Sequence, residues 1–196
     1  NGLLQTSAAL TFSTANSSRL TCNGGMSFFG SVVNGKIAGS VPIYATGGTI
    51  YFEYVGNSGL YIANDLFLDG NVTISSLYYA GANLKYLSGA VSAPGLLTLG
   101  GTMTVDVSSV TWGNLYSGGG TINLISNLNI AGGITNGFFG NATFNTSTGA
   151  VINIGNGIIF GTTLAGNISG TAPIYLNGGT WSSSNNLTQY IANDLY

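Results

Sequence analysis

Charged side chains are almost absent from this sequence of 196 residues. Three Lys or Arg and five Asp or Glu make up 4% of the chain, and residues 107–193 carry no charge at all. A formal net charge of -2 without a basic cluster removes the attraction on which nucleic-acid and anionic-membrane binding depend. We therefore expect no nucleic-acid partner. Since no apolar run approaches about 18 residues, we also expect no membrane insertion.

Cysteine and the usual catalytic side chains are equally scarce. Cys22 is the only cysteine, so it cannot form an internal disulfide, and we expect a small buried side chain. General acid-base catalysis needs converging ionisable groups, but the chain has no histidine, one glutamate and four scattered aspartates. Asp65 and Asp69 lack the ligand spacing of a calcium loop. The sequence therefore predicts no catalytic residue, no metal site and no cofactor, and a protein that is not an enzyme.

In place of charge, the chain contains one stretch of itself twice. Residues 29–49 align without a gap on residues 160–180, with 11 of 21 positions identical at an offset of 131. The hexapeptide YIANDL at 61–66 returns at 190–195, at an offset of 129. The offset between the two copies thus changes by only two residues. Such small changes are typical of a duplicated structural unit whose loops vary in length while its strands do not.

The duplication predicts a single repetitive domain over residues 1–196. In it, residues 11–67 are duplicated as 143–196, which amounts to about one and a half units. The second copy stops at a position after which the first copy continues. We therefore expect the repeat to belong to a longer array.

Short bursts of alternating apolar and polar residues, separated by Gly-Gly and Asn-Gly pairs, predict strands and turns throughout. The Gly-Gly pairs at 24–25 and 47–48 begin 23 residues apart, and the glycines at 155–157 and 178–179 repeat this step of 23 residues. A recurrence at this step indicates one coil of a parallel β-helix, or β-solenoid. The alternative fold is a β-sandwich filament subunit, which shares the alternation and the turn spacing.

The solenoid interpretation makes definite expectations about stacking. Coils one step apart place Tyr44 near Phe67 and residues 28–29 near residues 51–52. At about 22 residues a coil, a unit holds about six coils and advances about 29 Å. The two copies then lie on the same face of the rod, with Pro42 and Pro173 in similar surroundings.

One stretch carries a resemblance to a known family. GGT-I-Y-F, then N-S-G-L, then I-A-N-D-L-F-L-D-G-N-V-T-I, within residues 47–74, resembles the Gly-Gly-Thr and Asn-rich strand repeats of secreted bacterial β-helix proteins. These include autotransporter passengers and filamentous haemagglutinin-like adhesins. The resemblance implies a surface location, adhesion or fibre building, and usually no catalysis.

Two sets of residues are candidates for surface roles. Six Asn-x-Ser/Thr sequons predict possible glycosylation sites at Asn16, Asn71, Asn141, Asn145, Asn167 and Asn186. Possible contacts to carbohydrate or to neighbouring subunits are Trp112, Trp181, Tyr78, Tyr79 and Tyr116. The alternative for these aromatic residues is that most fill the core or pack between subunits.

The leading hypothesis is a structural or adhesive component of an extracellular cell-surface fibre or filament. Its partners are copies of itself, stacked end to end, and host or environmental glycans; its location is secreted or at the cell surface. One alternative is a carbohydrate-binding or carbohydrate-cleaving β-helix like those of viral tail spikes. The other is a pilus-like subunit that donates a strand to its neighbour.

Overall fold

The structure, a computed structural model, describes residues 4–6, 10–13, 18–28, 36–52, 61–136, 141–160, 167–183 and 190–196. Within these ranges all regular secondary structure is β-strand, and no helix able to cross a membrane is present. The strands are β1 (Leu4–Thr6), β2 (Leu10–Thr11), β3 (Leu20–Cys22), β4 (Gly25–Phe28), β5 (Lys36–Ala38), β6 (Ile43–Phe52), β7 (Tyr61–Ile62), β8 (Leu66–Ile74), β9 (Ser76–Tyr79), β10 (Asn83–Ser88), β11 (Val91–Asp106), β12 (Thr111–Leu124), β13 (Leu128–Ile130), β14 (Ile134–Asn136), β15 (Ala142–Thr146), β16 (Ile152–Ile154), β17 (Gly157–Phe160), β18 (Ile168–Ser169), β19 (Ile174–Leu176) and β20 (Thr180–Ser183).

These strands wind into a β-solenoid with three faces. Every ladder between them is parallel, and each strand pairs with the strands one coil before and one coil after it. Parallel stacking of this kind confirms the solenoid over the alternative sandwich, whose sheets are antiparallel.

Each face is one column of stacked strands. Face 1 contains β2, β5, β7, β9, residues 96–99 of β11, residues 115–117 of β12, β14, β17 and β20. Face 2 contains β3, residues 43–45 of β6, residues 66–68 of β8, β10, residues 102–106 of β11, residues 120–124 of β12, β15 and β18. Face 3 contains β1, β4, residues 47–52 of β6, residues 71–74 of β8, residues 91–93 of β11, residues 111–112 of β12, β13, β16 and β19.

The core is a set of inward rows that run along the rod. Within each strand every second side chain points inward, which is the period of two that the alternation predicts. On face 2 one row includes Ile43, Leu66, Leu84, Val105 and Leu124, all with at most 1% of their surface exposed. Burying each such side chain contributes about 1.5–3 kcal/mol, so the rows are the main stabilisation of an almost uncharged chain.

The predicted stacking is confirmed where the structure describes it. Tyr44 pairs in register with Phe67, and their ring centroids are 4.8 Å apart. Phe28 pairs with Phe52, while Phe29 lies outside the described residues. Cys22 is buried, as expected.

Coil length varies more than the sequence predicts. Leu10 pairs with Ile37 across one of the longer coils, whereas Ile62 pairs with Tyr79 across a much shorter one. Strand registers are set by the core rows, so differences in coil length are absorbed at the corners between faces.

The two copies of the unit do not share a face, and that expectation is wrong. The ladder that starts at Ile43 passes through β8, β10, β11, β12 and β15 to β18, which is six coils on. The counterpart Ile174 begins β19, the next strand after β18, and therefore lies on face 3. One unit is thus six and one-third coils, and the second copy is turned by one face relative to the first.

The local contacts of the unit survive this rotation. The carbonyl of Pro42 accepts a hydrogen bond from Leu20 N at 3.0 Å, and that of Pro173 accepts one from Ile152 N at 2.9 Å. Both prolines thus have the same surroundings, as the repeat predicts. This pairing also aligns Leu20 with Ile152, so the counterpart of Cys22 is the buried Ile154.

A buried asparagine holds the corner beside each proline. The side-chain nitrogen of Asn64 donates to the carbonyl of Val41 at 2.9 Å, and that of Asn193 donates to the carbonyl of Ala172 at 2.8 Å. Both asparagines come from the repeated IAND sequence and are at most 7% exposed. The repeated motif is therefore a corner clamp, because each amide nitrogen bonds the carbonyl of a buried residue in the preceding coil.

Candidate functional site on face 2

The outer row of face 2 gathers several of the few charged residues of the chain. In register along the rod lie Thr21, Tyr44, Phe67, Lys85 and Asp106. The guanidinium of Arg19 lies 4.9 Å from the centroid of the Tyr44 ring, a cation-π contact. Because stacked coils place outer side chains about 4.8 Å apart, these groups form one continuous stripe along the surface.

A groove lies along this stripe next to the aromatic pair. It has a volume of about 330 Å³ and is lined by Phe67, Asn83, Leu84, Lys85, Thr104, Asp106 and Ile125. Lys85 Nζ lies 3.6 Å from Asp106 Oδ2, with both side chains partly exposed to solvent. At this distance and exposure the pair contributes little to stability. Its two charges therefore remain available to a ligand.

Asp65 fixes the orientation of one polar side chain in the groove. Its two carboxylate oxygens accept from the backbone nitrogen of Asn83 at 3.1 Å and from the side-chain nitrogen of Asn83 at 3.0 Å. Asp65 belongs to the repeated IANDL, and its counterpart in the second copy is Asp194. The two bonds to Asp65 hold the Asn83 amide in place among the residues that line the groove.

Beyond the groove, face 2 continues as an uncharged polar surface. Thr102 pairs with Thr121 and then with Thr143, while Thr104 pairs with Asn123 and then with Asn145. Within the described part of the chain the side chains of Thr102, Thr121 and Asn123 make no hydrogen bond. Their donors and acceptors are therefore presented to solvent.

The second copy keeps the aromatic pair. Tyr175 and Tyr196, the counterparts of Tyr44 and Phe67, stack with ring centroids 4.8 Å apart. Tyr175 pairs in register with Asn153, the counterpart of Thr21, and the Asn153 amide donates to Asn129 Oδ1 at 2.8 Å. Thus the aromatic stack repeats with the unit, whereas the cation of Arg19 does not.

Two of the five aromatic candidates lie in the core. Trp112 and Tyr79 are fully buried, so they are not available for contact with a surface ligand in this structure. The alternation of apolar and polar residues predicts that both residues lie in strands. It does not tell which of the two alternating sets of side chains points inward. Tyr78 and Tyr116 lie in the outer row of face 1, where each pairs with Thr98 from opposite sides. Trp181 is 48% exposed, on an inward position of face 1.

Burial also governs the two titratable groups that lie in or beside the core. Burial raises the pKa of Tyr79, and the nearby charge of Asp65 raises it further; the hydroxyl donates to the carbonyl of Asn83. Burial likewise raises the pKa of the Cys22 thiol. Both groups therefore stay protonated and neutral at ordinary pH, as core side chains rather than nucleophiles.

The described sequons differ in exposure. Asn71 and Asn141 are exposed and Asn145 and Asn167 are half-buried, while Asn16 and Asn186 lie outside the described residues. In Asn71, Asn141 and Asn167 the side-chain oxygen accepts a hydrogen bond from the next coil, at 2.9–3.0 Å. The nitrogen, to which a glycan attaches, is not used in these bonds.

Comparison with known proteins gives no match to a protein family, to a curated protein or to a solved structure. Among the described residues, no three His, Cys, Asp or Glu side chains come together as metal ligands would. The groove on face 2 contains one carboxylate, that of Asp106. The function is therefore argued from the architecture and from this groove.

Proposed function

We propose that this protein is a non-catalytic structural rod, part of a secreted or cell-surface fibre, that associates lengthwise with copies of itself. The observation that carries the proposal is the pair of corner clamps at Asn64 and Asn193. Equivalent contacts are kept although the two copies lie on different faces. The duplication thus keeps the buried corners and core rows that build the coils. This is expected when a duplication serves to lengthen a structural rod.

The fate of the charged residues supports the same proposal. Residues 11–67 contain Arg19, Lys36, Glu53 and Asp65, and only Asp65 has a charged counterpart in the second copy. A catalytic or ion-binding role repeated with the unit would require these side chains to be repeated as well. What repeats is the set of glycines, prolines and buried residues that form coils.

Trp181 indicates how a further coil packs on the last described coil of face 1. It is the counterpart of Ile50, which is fully buried between Met26 and Ile74 of the neighbouring coils. Trp181 pairs with Ile158 of the preceding coil, and β20 is the last strand of face 1 that the structure describes. A large apolar side chain, half exposed at a position that is inward in the other copy, fits a further coil of the same kind.

The way in which the surface stays soluble supports an extracellular location. With 4% charged residues, the exposed surface depends on hydroxyls and amides, and on sugar if the sequons are used. Asn71 and Asn141 are the two described sequons that are exposed. Secretion from a eukaryotic host followed by mass spectrometry tests their use, with Asn71→Gln and Asn141→Gln as matched controls.

Lengthwise association is tested by sedimentation velocity over a wide range of concentration. We expect the wild type to form linear multimers and Trp181→Asp to remain monomeric, because a carboxylate on an inward position cannot be stacked against another coil. Ser182→Asp is the matched control, since Ser182 is the next residue of β20 but points outward. A wild type that stays monomeric at every concentration, or a Trp181→Asp variant that associates normally, contradicts the proposal.

A further inference from the structure

We propose that the groove on face 2 is a binding site for a neutral saccharide. The groove lies between two apolar walls. Phe67 stacks on Tyr44 with one ring face, and Lys85 lies on the opposite side of Phe67 in the ladder. At the far end lies Ile125, which is 43% exposed. It directly follows Leu124, the residue that pairs with Val105. The walls are three coils apart, or about 14 Å along the rod.

The polar groups between the walls include both donors and acceptors. Lys85 Nζ donates, Asp106 accepts, and the Thr104 hydroxyl does either; none of these three side chains is locked into a buried bond. Asn83, held by Asp65 through its nitrogens, presents its side-chain oxygen as a further acceptor. A ring of hydroxyls, each able to donate and accept, is the ligand that matches a mixed set of this kind.

Charge complementarity favours a neutral ligand over an ionic one. The ammonium of Lys85 and the carboxylate of Asp106 are 3.6 Å apart, so the side chains that line the groove carry no net charge and form no like-charged cluster. An anion is attracted by Lys85 but repelled by Asp106, and a cation is attracted by Asp106 but repelled by Lys85. A sugar hydroxyl placed between them contacts both without opposing either.

The walls and the size favour a sugar over a peptide. A sugar ring has a C–H face that packs against apolar side chains, and the Phe67 ring lines the groove beside the polar groups. At about 330 Å³ the groove is at the small end of ligand sites, which suits one or two sugar rings. The uncharged row beyond it, with Thr121 and Asn123 unbonded to the described part of the protein, provides a path along which a longer chain continues.

This inference is independent of lengthwise association. The groove is built by coils in the middle of the described chain, far along the ladder from Trp181. Binding is therefore measured in the monomeric Trp181→Asp variant as well as in the wild type. Failure of saccharide binding leaves the rod proposal intact, and failure of association leaves the site intact.

The test is isothermal titration calorimetry with neutral hexasaccharides of glucose, mannose and N-acetylglucosamine, and a heparin hexasaccharide as the anionic comparison. We expect at least one neutral hexasaccharide to bind. We expect Phe67→Ala and the Lys85→Met, Asp106→Asn double variant each to lower that affinity about tenfold or more. Tyr175→Ala, which removes the same kind of stack from the second copy, is the control and should bind normally.

Three results would overturn the proposal. The first is that none of the neutral saccharides binds. The second is that binding persists unchanged when the groove residues are substituted, which places it elsewhere. The third is that only the heparin fragment binds, and that Lys85→Met alone abolishes this, which makes the groove a simple cationic contact. Thermal unfolding of each variant, compared with the wild type, shows that a loss of binding is not a loss of fold.

Discussion

Single glycines decide how closely successive coils approach. Gly39 and Gly170 are equivalent positions with φ of +122° and +125°, a region that favours glycine. A Cβ on Gly39 would overlap the carbonyl of Phe12, and a Cβ on Gly170 would overlap the carbonyl of Phe144. The repeat reveals from the sequence that both are glycine. It does not reveal the reason, because the neighbouring carbonyl comes from a different coil whose register the sequence leaves open.

Gly170→Ala should therefore destabilise the protein by about 3 kcal/mol, because it combines an unfavourable φ with a clash against fixed backbone. Gly149→Ala is the matched control. Gly149 also has a positive φ, of +79°, but no atom lies within 4 Å of the Cβ position. It should cost only about 1 kcal/mol. Urea unfolding measures both, and equal losses would show that conformation alone, not coil contact, makes these glycines necessary.

At the scale of strands, the sequence predicts which segments stack but not every coil they belong to. The step between Gly-Gly pairs correctly predicts Tyr44 over Phe67. In contrast, Thr102 and Thr104 pair with Thr121 and Asn123 across a shorter coil. The spacing of the Gly-Gly pairs does not predict the length of that coil. The groove is missed for the same reason, since Phe67, Lys85 and Asp106 become neighbours only when the lengths of the intervening coils are known.

Strands and corners should respond differently to an inserted residue. An alanine inserted after Asn153 in β16 reverses the inward phase of the residues that follow, so Ile154 loses its place between Ile130 and Leu176. The expected cost is at least about 3 kcal/mol, from lost burial and disrupted ladders on both sides. A glycine inserted between Thr148 and Gly149 lies in an exposed corner. It should cost less than about 1 kcal/mol.

Chemical denaturation of the two insertion variants gives the comparison. The corner variant should keep the unfolding slope of the wild type, since the same surface is buried in its coils. If the two insertions cost the same, strand register would not be what positions the core rows, and the tolerance of variable coil length would need another explanation.

For the whole molecule, the fractional number of coils in a unit has a geometric consequence. A unit of six and one-third coils advances about 30 Å and turns its surface features by one face, so three units restore the original orientation. The sequence predicts about six coils, which is nearly correct. It does not predict the extra third, because the unit contains coils of unequal length and the three faces accept the same alternating strands. A rod of such units presents its stacked aromatic pairs on each face in turn.

Appending a second copy of residues 68–196 after Tyr196 tests this geometry, because Tyr196 is the counterpart of Phe67 and the repeat then continues in phase. The added residues should stack as coils on the existing ladder, so the rod should lengthen by about 30 Å while its cross-section stays constant. Small-angle X-ray scattering measures both quantities, and Trp181→Asp, made only in the appended copy, excludes association of separate chains while it leaves the junction unchanged. The matched control appends the same residues shifted by one position, which reverses the inward phase at the junction. Growth in cross-section instead of length, or equal behaviour of the shifted control, would contradict a unit that propagates by stacking its coils.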